Sequence, residues 1–192
     1  MFPTDPNCFL SLRDLIKMTN GTSDLNAFAL NALRMRITRV LPTQIRACVE
    51  QLSDEQIWWR PNDQSNSVGN LVLHVRGAVM HFLCRGVGGQ NYDRDRPAEF
   101  TTSSMPKEQL LALFDDMVGK AEETFSSLNE ARLSDPSTEP TYYSTVFEDL
   151  FGVAIHLAVH TGQIVYVTKL LQEGSINDLW SQTHRSLGAW KT

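Results

Sequence analysis

Apolar residues at three- and four-residue spacing, with no sustained period-two alternation, are the strongest constraint in this chain. From Leu25 to Gln51 they recur as Phe28, Leu30, Leu33, Ile37, Val40, Leu41, Ile45 and Val49, one stripe of an amphipathic helix. Pro42 sits inside the stripe and is expected to kink it or split it in two, because proline lacks an amide donor and clashes with the preceding turn. Ser53-Asp54-Glu55-Gln56 has the spacing of a capping box and opens a short turn carrying Ile57, Trp58 and Trp59. The two tryptophans read as core and pocket wall. Pro61 to Asn66 is polar and turn-like. A second helix is expected from Ser67, as N-cap, to Arg85, with Gly86 as its stop. Gly86 to Thr102 reads as a loop rich in glycine and charge. Pro106 suits the first turn of a third helix from Met105 to Leu128, and Leu110, Phe114, Met117, Ala121 and Phe125 give it a core face. Asn129 to Tyr143, with Pro136 and Pro140, is a crossing linker. Thr145-Val146-Phe147-Glu148 is a further capping box, and the helix it opens is expected to last to Glu173 before Gly174.

Four long helices with a long connection between the second and third point to an all-α four-helix bundle. The 192 residues suit a single domain over 1–192, with a 1–20 N-terminal extension and a 175–192 C-terminal tail. Trp180 and Trp190 in that tail are expected to pack on the bundle or on a second subunit, since exposed indoles are unfavourable. The apolar fraction of 42% against 20% charged excludes a disordered chain and a disulfide-stapled miniprotein. The longest uninterrupted apolar runs are short, so no membrane-spanning helix is expected. A net charge of −5 gives no global pull toward nucleic acid or an anionic membrane. No basic-then-apolar leader is visible at Met1. The odd, widely separated Cys8, Cys48 and Cys84 suit a reducing, cytoplasmic setting in which each is a small buried hydrophobe. Asn20-Gly21-Thr22 matches a glycosylation sequon, idle without secretion.

The chemistry concentrates in the histidines. His156 and His160 lie four apart on the last helix, hence on one face and one turn apart, where two imidazoles can aim at a single metal ion. The alternative is a pair of core histidines, each hydrogen-bonded to a neighbour. The apolar surroundings favour the metal, which relieves the cost of burying unpartnered imidazoles. A third ligand must come from another helix. His74 stands in an equally apolar setting, whereas His81 lies about 10 Å further along the same helix at 1.5 Å per residue, and the two cannot reach one ion. His184 reads as surface or packing. Gln163 faces nearly the same side as His160, placed either to orient the site or as a helix-packing amide. Arg94 and Arg96 can clamp a substrate carboxylate, or pair with Asp93, Asp95 and Glu99 to tie down their loop.

Absences narrow the chemistry. Leu157 follows His156, so this is not a His-Glu-x-x-His protease helix. There is no Glu-x-x-His for a dinuclear carboxylate bundle, and no nucleophile-elbow, Walker or dinucleotide signature. Gly86-Val87-Gly88-Gly89 trails a helix C-terminus, whose dipole repels anions, and so makes no phosphate cradle.

Leu71-Val72-Leu73-His74, followed by His156-Leu157-Ala158-Val159-His160-Thr161-Gly162-Gln163-Ile164, resembles the DinB/YfiT-like superfamily of metal-binding four-helix bundles. Leu52 to Gln56 with Trp59-Arg60-Pro61 resembles the opening of the same superfamily, and the resemblance spans Leu25 to Leu171. It implies a mononuclear site carried by His74, His156 and His160, with water on the open side and zinc, nickel or iron as occupant. It also implies a homodimer and a small-molecule substrate; the charge and the short apolar runs give the expectation of neither nucleic acid nor membrane as partner. Characterised members are thiol S-transferases and a thiol-dependent maleylpyruvate isomerase, so the expected activity is transfer of a low-molecular-weight thiol, or water, to a small electrophile. A metal-dependent hydrolase and a non-catalytic metal-binding or sensing bundle are the alternatives.

Overall fold

The computed structural model describes residues 25–138, 142–174, 176, 178, 179 and 183. Trp180, His184, Trp190, Cys8 and the sequon lie outside them. The protein is helical, and among the described residues the only β-type pairing is an isolated antiparallel bridge between Pro136 and Thr145.

Helix α1 runs through residues 25–51. It crosses Pro42 without breaking, because the chain widens into a π turn over Arg36–Val40 just before an α-helical stretch over Leu41–Gln51. Pro42 has no N–H to give, and Leu41 N–H instead reaches back five residues to Arg36 O. The core face of α1 begins at Leu33 and Ile37, while Phe28 is 72% exposed. Helix α2, Asp54–Trp58, starts at the Ser53 capping box, with both reciprocal bonds present. Trp58 donates its indole N–H to Met105 O.

Helix α3 covers Val68–Ala78 and continues as a π-helical stretch over Val79–Val87. Ser67 caps it, and Asn70 stands in the box where Glu or Gln is usual. Its stop is not Gly86 but Gly88 and Gly89. Gly88 N–H bonds Leu83 O at 2.9 Å and Gly89 has φ +69°, a left-handed turn that favours glycine. The expected loop from Gly86 to Thr102 holds a further short helix, α4, over Arg96–Thr101. Asp95 accepts from Ala98 N–H, and Pro97 occupies the first turn. Helix α5 is Lys107–Ser127, with Pro106 preceding it, and a 3₁₀ turn covers Glu130–Ser134. Helix α6, Val146–Leu171, opens on the Thr145–Glu148 capping box.

The second half of α1 packs on α6, α3 packs on α5 and α6, and α4 lies on α3. Ile45 from α1, Val75 and Leu83 from α3, Leu110 and Met117 from α5, and Leu150, Leu157 and Ile164 from α6 are all fully buried in one core. Each such side chain contributes about 1.5–3 kcal/mol. Ile176, Leu179 and Thr183 of the tail are buried too. Cys48 and Cys84 are buried free thiols, each pushed up to about 11 by burial.

Helix α6 departs from the expectation that no segment could span a membrane. An 18-residue window in it averages 1.5 in hydropathy and is 28% buried, so by length and composition it is apolar enough to cross one. His, Thr and Gly break its apolar runs, but the apolar residues around them are dense enough to keep the average high. A core helix meets the same criteria.

Candidate metal centre

Two helices bring three imidazoles together. His74 projects from the buried face of α3 and is 8% exposed, while His156 and His160 project from one face of α6 and are partly buried. Leu157, between the two histidines, and Ile164, one turn beyond His160, are fully buried and fix the rotation of α6, so the histidine edge faces α3. His156 Nε2 lies 3.0 Å from His74 Nε2 and 3.2 Å from His160 Nε2. One ligand atom from each of the three falls within 4.8 Å of the others.

The chemistry of the donors fits one cation. The Nδ1 of His74 meets Glu99 Oε2 at 2.8 Å, and the Nδ1 of His160 meets Gln163 Oε1 at 2.7 Å. The nearest partner of each Nδ1 is an oxygen acceptor, closer to His74 than the donor Arg94 Nη2 at 3.4 Å, so each Nδ1 carries the hydrogen and each Nε2 a lone pair. Lone pairs about 3 Å apart repel unless a proton or a cation stands between them. Two nitrogens on one zinc, each about 2.0–2.1 Å from it, stand roughly 3–3.4 Å apart, the spacing seen here.

The electrostatics favour the neutral form of His74 and His156. Burial lowers His74 below the ordinary imidazole value, partly offset by its bond to Glu99. His156 is held down to about 4, first by burial and then by the neighbouring His160 and His74. Neutral imidazole is the form that binds metal.

Glu99 is the residue that the sequence did not single out at the site. It is 6% exposed and comes from α4. Arg94 donates from Nε to Oε1 at 2.7 Å and from Nη2 to Oε2 at 2.9 Å. Arg94 is therefore engaged in the loop-tying pair rather than turned outward as an anion clamp. Arg96 is exposed, with its guanidinium 5.4 Å from the centre of the Phe100 ring. Phe100 in turn packs on His74, with ring centroids 4.9 Å apart. Asp95-Arg96-Pro97, an N-cap followed by a first-turn proline, signals the short helix of which Glu99 is the fourth residue, but not the direction in which that residue faces. His81 stands apart from the cluster, near Phe82 and Arg85.

Cavities reach the histidines from two sides among the described residues. One, about 610 Å³, is lined by His156 with Tyr142, Tyr143, Phe151, Ile155 and Val159. The other, about 340 Å³, is lined by His160 and Gln163 with Gln64, Ser65 and Asn66.

A helical protein with three convergent histidines is the class defined so far. The chain matches, over residues 25–182, the family described as protein of unknown function (DUF1572), and it belongs to that family. No curated protein matches it.

Proposed function

We propose that this protein is a DinB-like four-helix-bundle enzyme whose His74, His156 and His160 hold one divalent ion, zinc, nickel or iron, for chemistry on a small electrophile. The observation that carries the reading is the approach of three Nε2 atoms, two of them oriented by oxygen acceptors on Nδ1. The resemblance of the histidine segments to the DinB/YfiT-like superfamily supports it independently.

Three neutral imidazoles leave the ion its full charge and an exchangeable position. When bound, it supplies a Lewis acid that lowers the pKa of a low-molecular-weight thiol or of water. The chain needs no cysteine of its own at the site, in keeping with the burial of Cys48 and Cys84. Tyr142, Tyr143, Phe151, Ile155 and Val159 shape an apolar cavity beside His156 for the body of the electrophile. Gln163 orients His160. Arg96, over Phe100, is the arginine we assign to a substrate carboxylate, since Arg94 is committed to Glu99.

The reading includes a cytoplasmic homodimer. Phe147, Phe151, Ile155 and Val159 succeed one another at four-residue spacing along α6 and are 38–55% exposed, with Tyr166 and Leu170 further along. A second copy covering such a stripe would also form the outer wall of the cavity beside His156, which Phe151, Ile155 and Val159 line.

The test is a panel of small electrophiles offered with several low-molecular-weight thiols to zinc-, nickel- and iron-loaded protein. Thiol conjugation that a chelator abolishes and metal restores is the expected result. Metal-dependent hydrolysis without thiol would move the assignment to a hydrolase, and no turnover with any metal would favour a binding or sensing role.

A further inference from the structure

Beyond the three ligands, the geometry points to Glu99, braced by Arg94, as the positioning residue that locks His74 in its metal-binding tautomer. The inference rests on the metal reading above, but its first readout needs no metal. His74 has two nitrogens, and a neutral ring carries one proton. Glu99 Oε2 stands 2.8 Å from Nδ1, against 3.4 Å for the donor Arg94 Nη2, and accepts that proton's hydrogen bond, so the lone pair is left on Nε2, 3.0 Å from His156. The other Glu99 oxygen is bonded to Arg94 Nε, and Arg94 Nη2 shares Oε2, so the carboxylate plane is fixed from behind.

The rest of the neighbourhood is built to hold this carboxylate. Asn70, fully buried on α3 one turn before His74, donates from Nδ2 to Glu99 O at 3.0 Å and to Thr102 O at 2.8 Å. One side chain thus pins both the residue and the end of its helix. Gly77 supplies the space: a Cβ there would lie 1.9 Å from Glu99 Oε1 and 3.1 Å from Arg94 Nε. With any other residue at that position, the carboxylate would be displaced from His74. A loop tie alone would not require a carboxylate oxygen directed at the imidazole, nor a glycine on the facing helix to admit it.

Three variants test the assignment: Glu99→Gln, Gly77→Ala, and Glu99→Leu with Arg94→Met. The double change removes both charges together, so it does not leave an unpaired buried ion. The first readout is the ¹⁵N spectrum of the imidazoles in metal-free protein. We expect His74 to be the Nδ1–H tautomer in the parent chain, and to shift toward Nε2–H in Gly77→Ala and in the double variant. The second readout is zinc affinity by chelator competition, expected to fall about 10–100-fold in these two variants and less in Glu99→Gln, which keeps an acceptor oxygen. An unchanged His74 tautomer and parental zinc affinity in a folded Gly77→Ala or double variant would overturn the role of Glu99 and leave the three-histidine site standing. A parent chain that binds no zinc would instead overturn the metal reading itself, whatever the tautomer.

Discussion

His74 Nε2 stands 3.0 Å from His156 Nε2, although 82 positions separate the two residues in the chain. Neither histidine brings the other there. The approach is set by the core between α3 and α6, where Val75, Leu157 and their neighbours are fully buried. The imidazoles are held close by packing that they do not themselves supply, as a preorganised ligand set requires.

Neutral rings at that distance make the metal-free protein sensitive to acid. His156 is held down to about 4 by burial and by His160 and His74, against an ordinary value of 6.5. Between those two values the unfolded chain binds more protons than the folded one, so stability falls as pH drops through the window. Melting temperatures of chelator-treated protein from pH 7 to pH 4.5 should decline, and His156→Gln should shrink the decline. A parent melting temperature that stays flat across the window would contradict this.

Gln163 tests the outer support of the cluster. Its Oε1 meets His160 Nδ1 at 2.7 Å, and its side chain is exposed, so Gln163→Leu should leave the fold intact. Zinc affinity by chelator competition should fall roughly 10-fold. Parental affinity would reduce Gln163 to a helix-surface amide.

The capping boxes give a stability prediction of graded size. Ser67→Ala removes a fully buried cap, whose hydroxyl also meets Asn70 Oδ1 at 2.8 Å, and should cost about 1–2 kcal/mol in urea unfolding. Thr145→Ala, at an exposed cap, should cost nearer about 0.5–1 kcal/mol. A reversed order would mean that burial does not govern the worth of these caps.

The exposed stripe of α6 predicts the oligomeric state. Light scattering behind size exclusion should give a dimer for the parent chain and a monomer for Ile155→Glu with Val159→Glu, both folding with similar melting temperatures. A monomeric parent would contradict the proposed dimer.

Much of this architecture is written locally. The Ser53 and Thr145 caps fall where the capping-box spacing places them, and Ser67 is the N-cap expected of it, because a cap depends only on residues three apart. The facing of His156 and His160 was likewise legible from a four-residue interval. The convergence of His74 on them was chosen from the apolar character of its helix, and the structure brings the three together. Non-local features were less legible. Pro42 is expected to kink or split its helix; the helix is not split, and a π turn over Arg36–Val40 precedes the proline. Glu99 looked like one more charge in a mixed loop. Its partnership with His74 depends on a gap at Gly77, on a different helix, that no local pattern shows. Phe28 fits the helical period, yet it remains exposed while Ala29 and Leu30 beside it pack against the core.

Metal content per chain is the most direct test of the central claim. Protein expressed without added metal and purified without chelator should carry close to one divalent ion per chain by elemental analysis. His74→Ala, His156→Ala and His160→Ala should each lose most of it while remaining folded. A parent chain free of metal that also fails to take up zinc, nickel or iron, or three variants that all keep the full complement, would contradict the account.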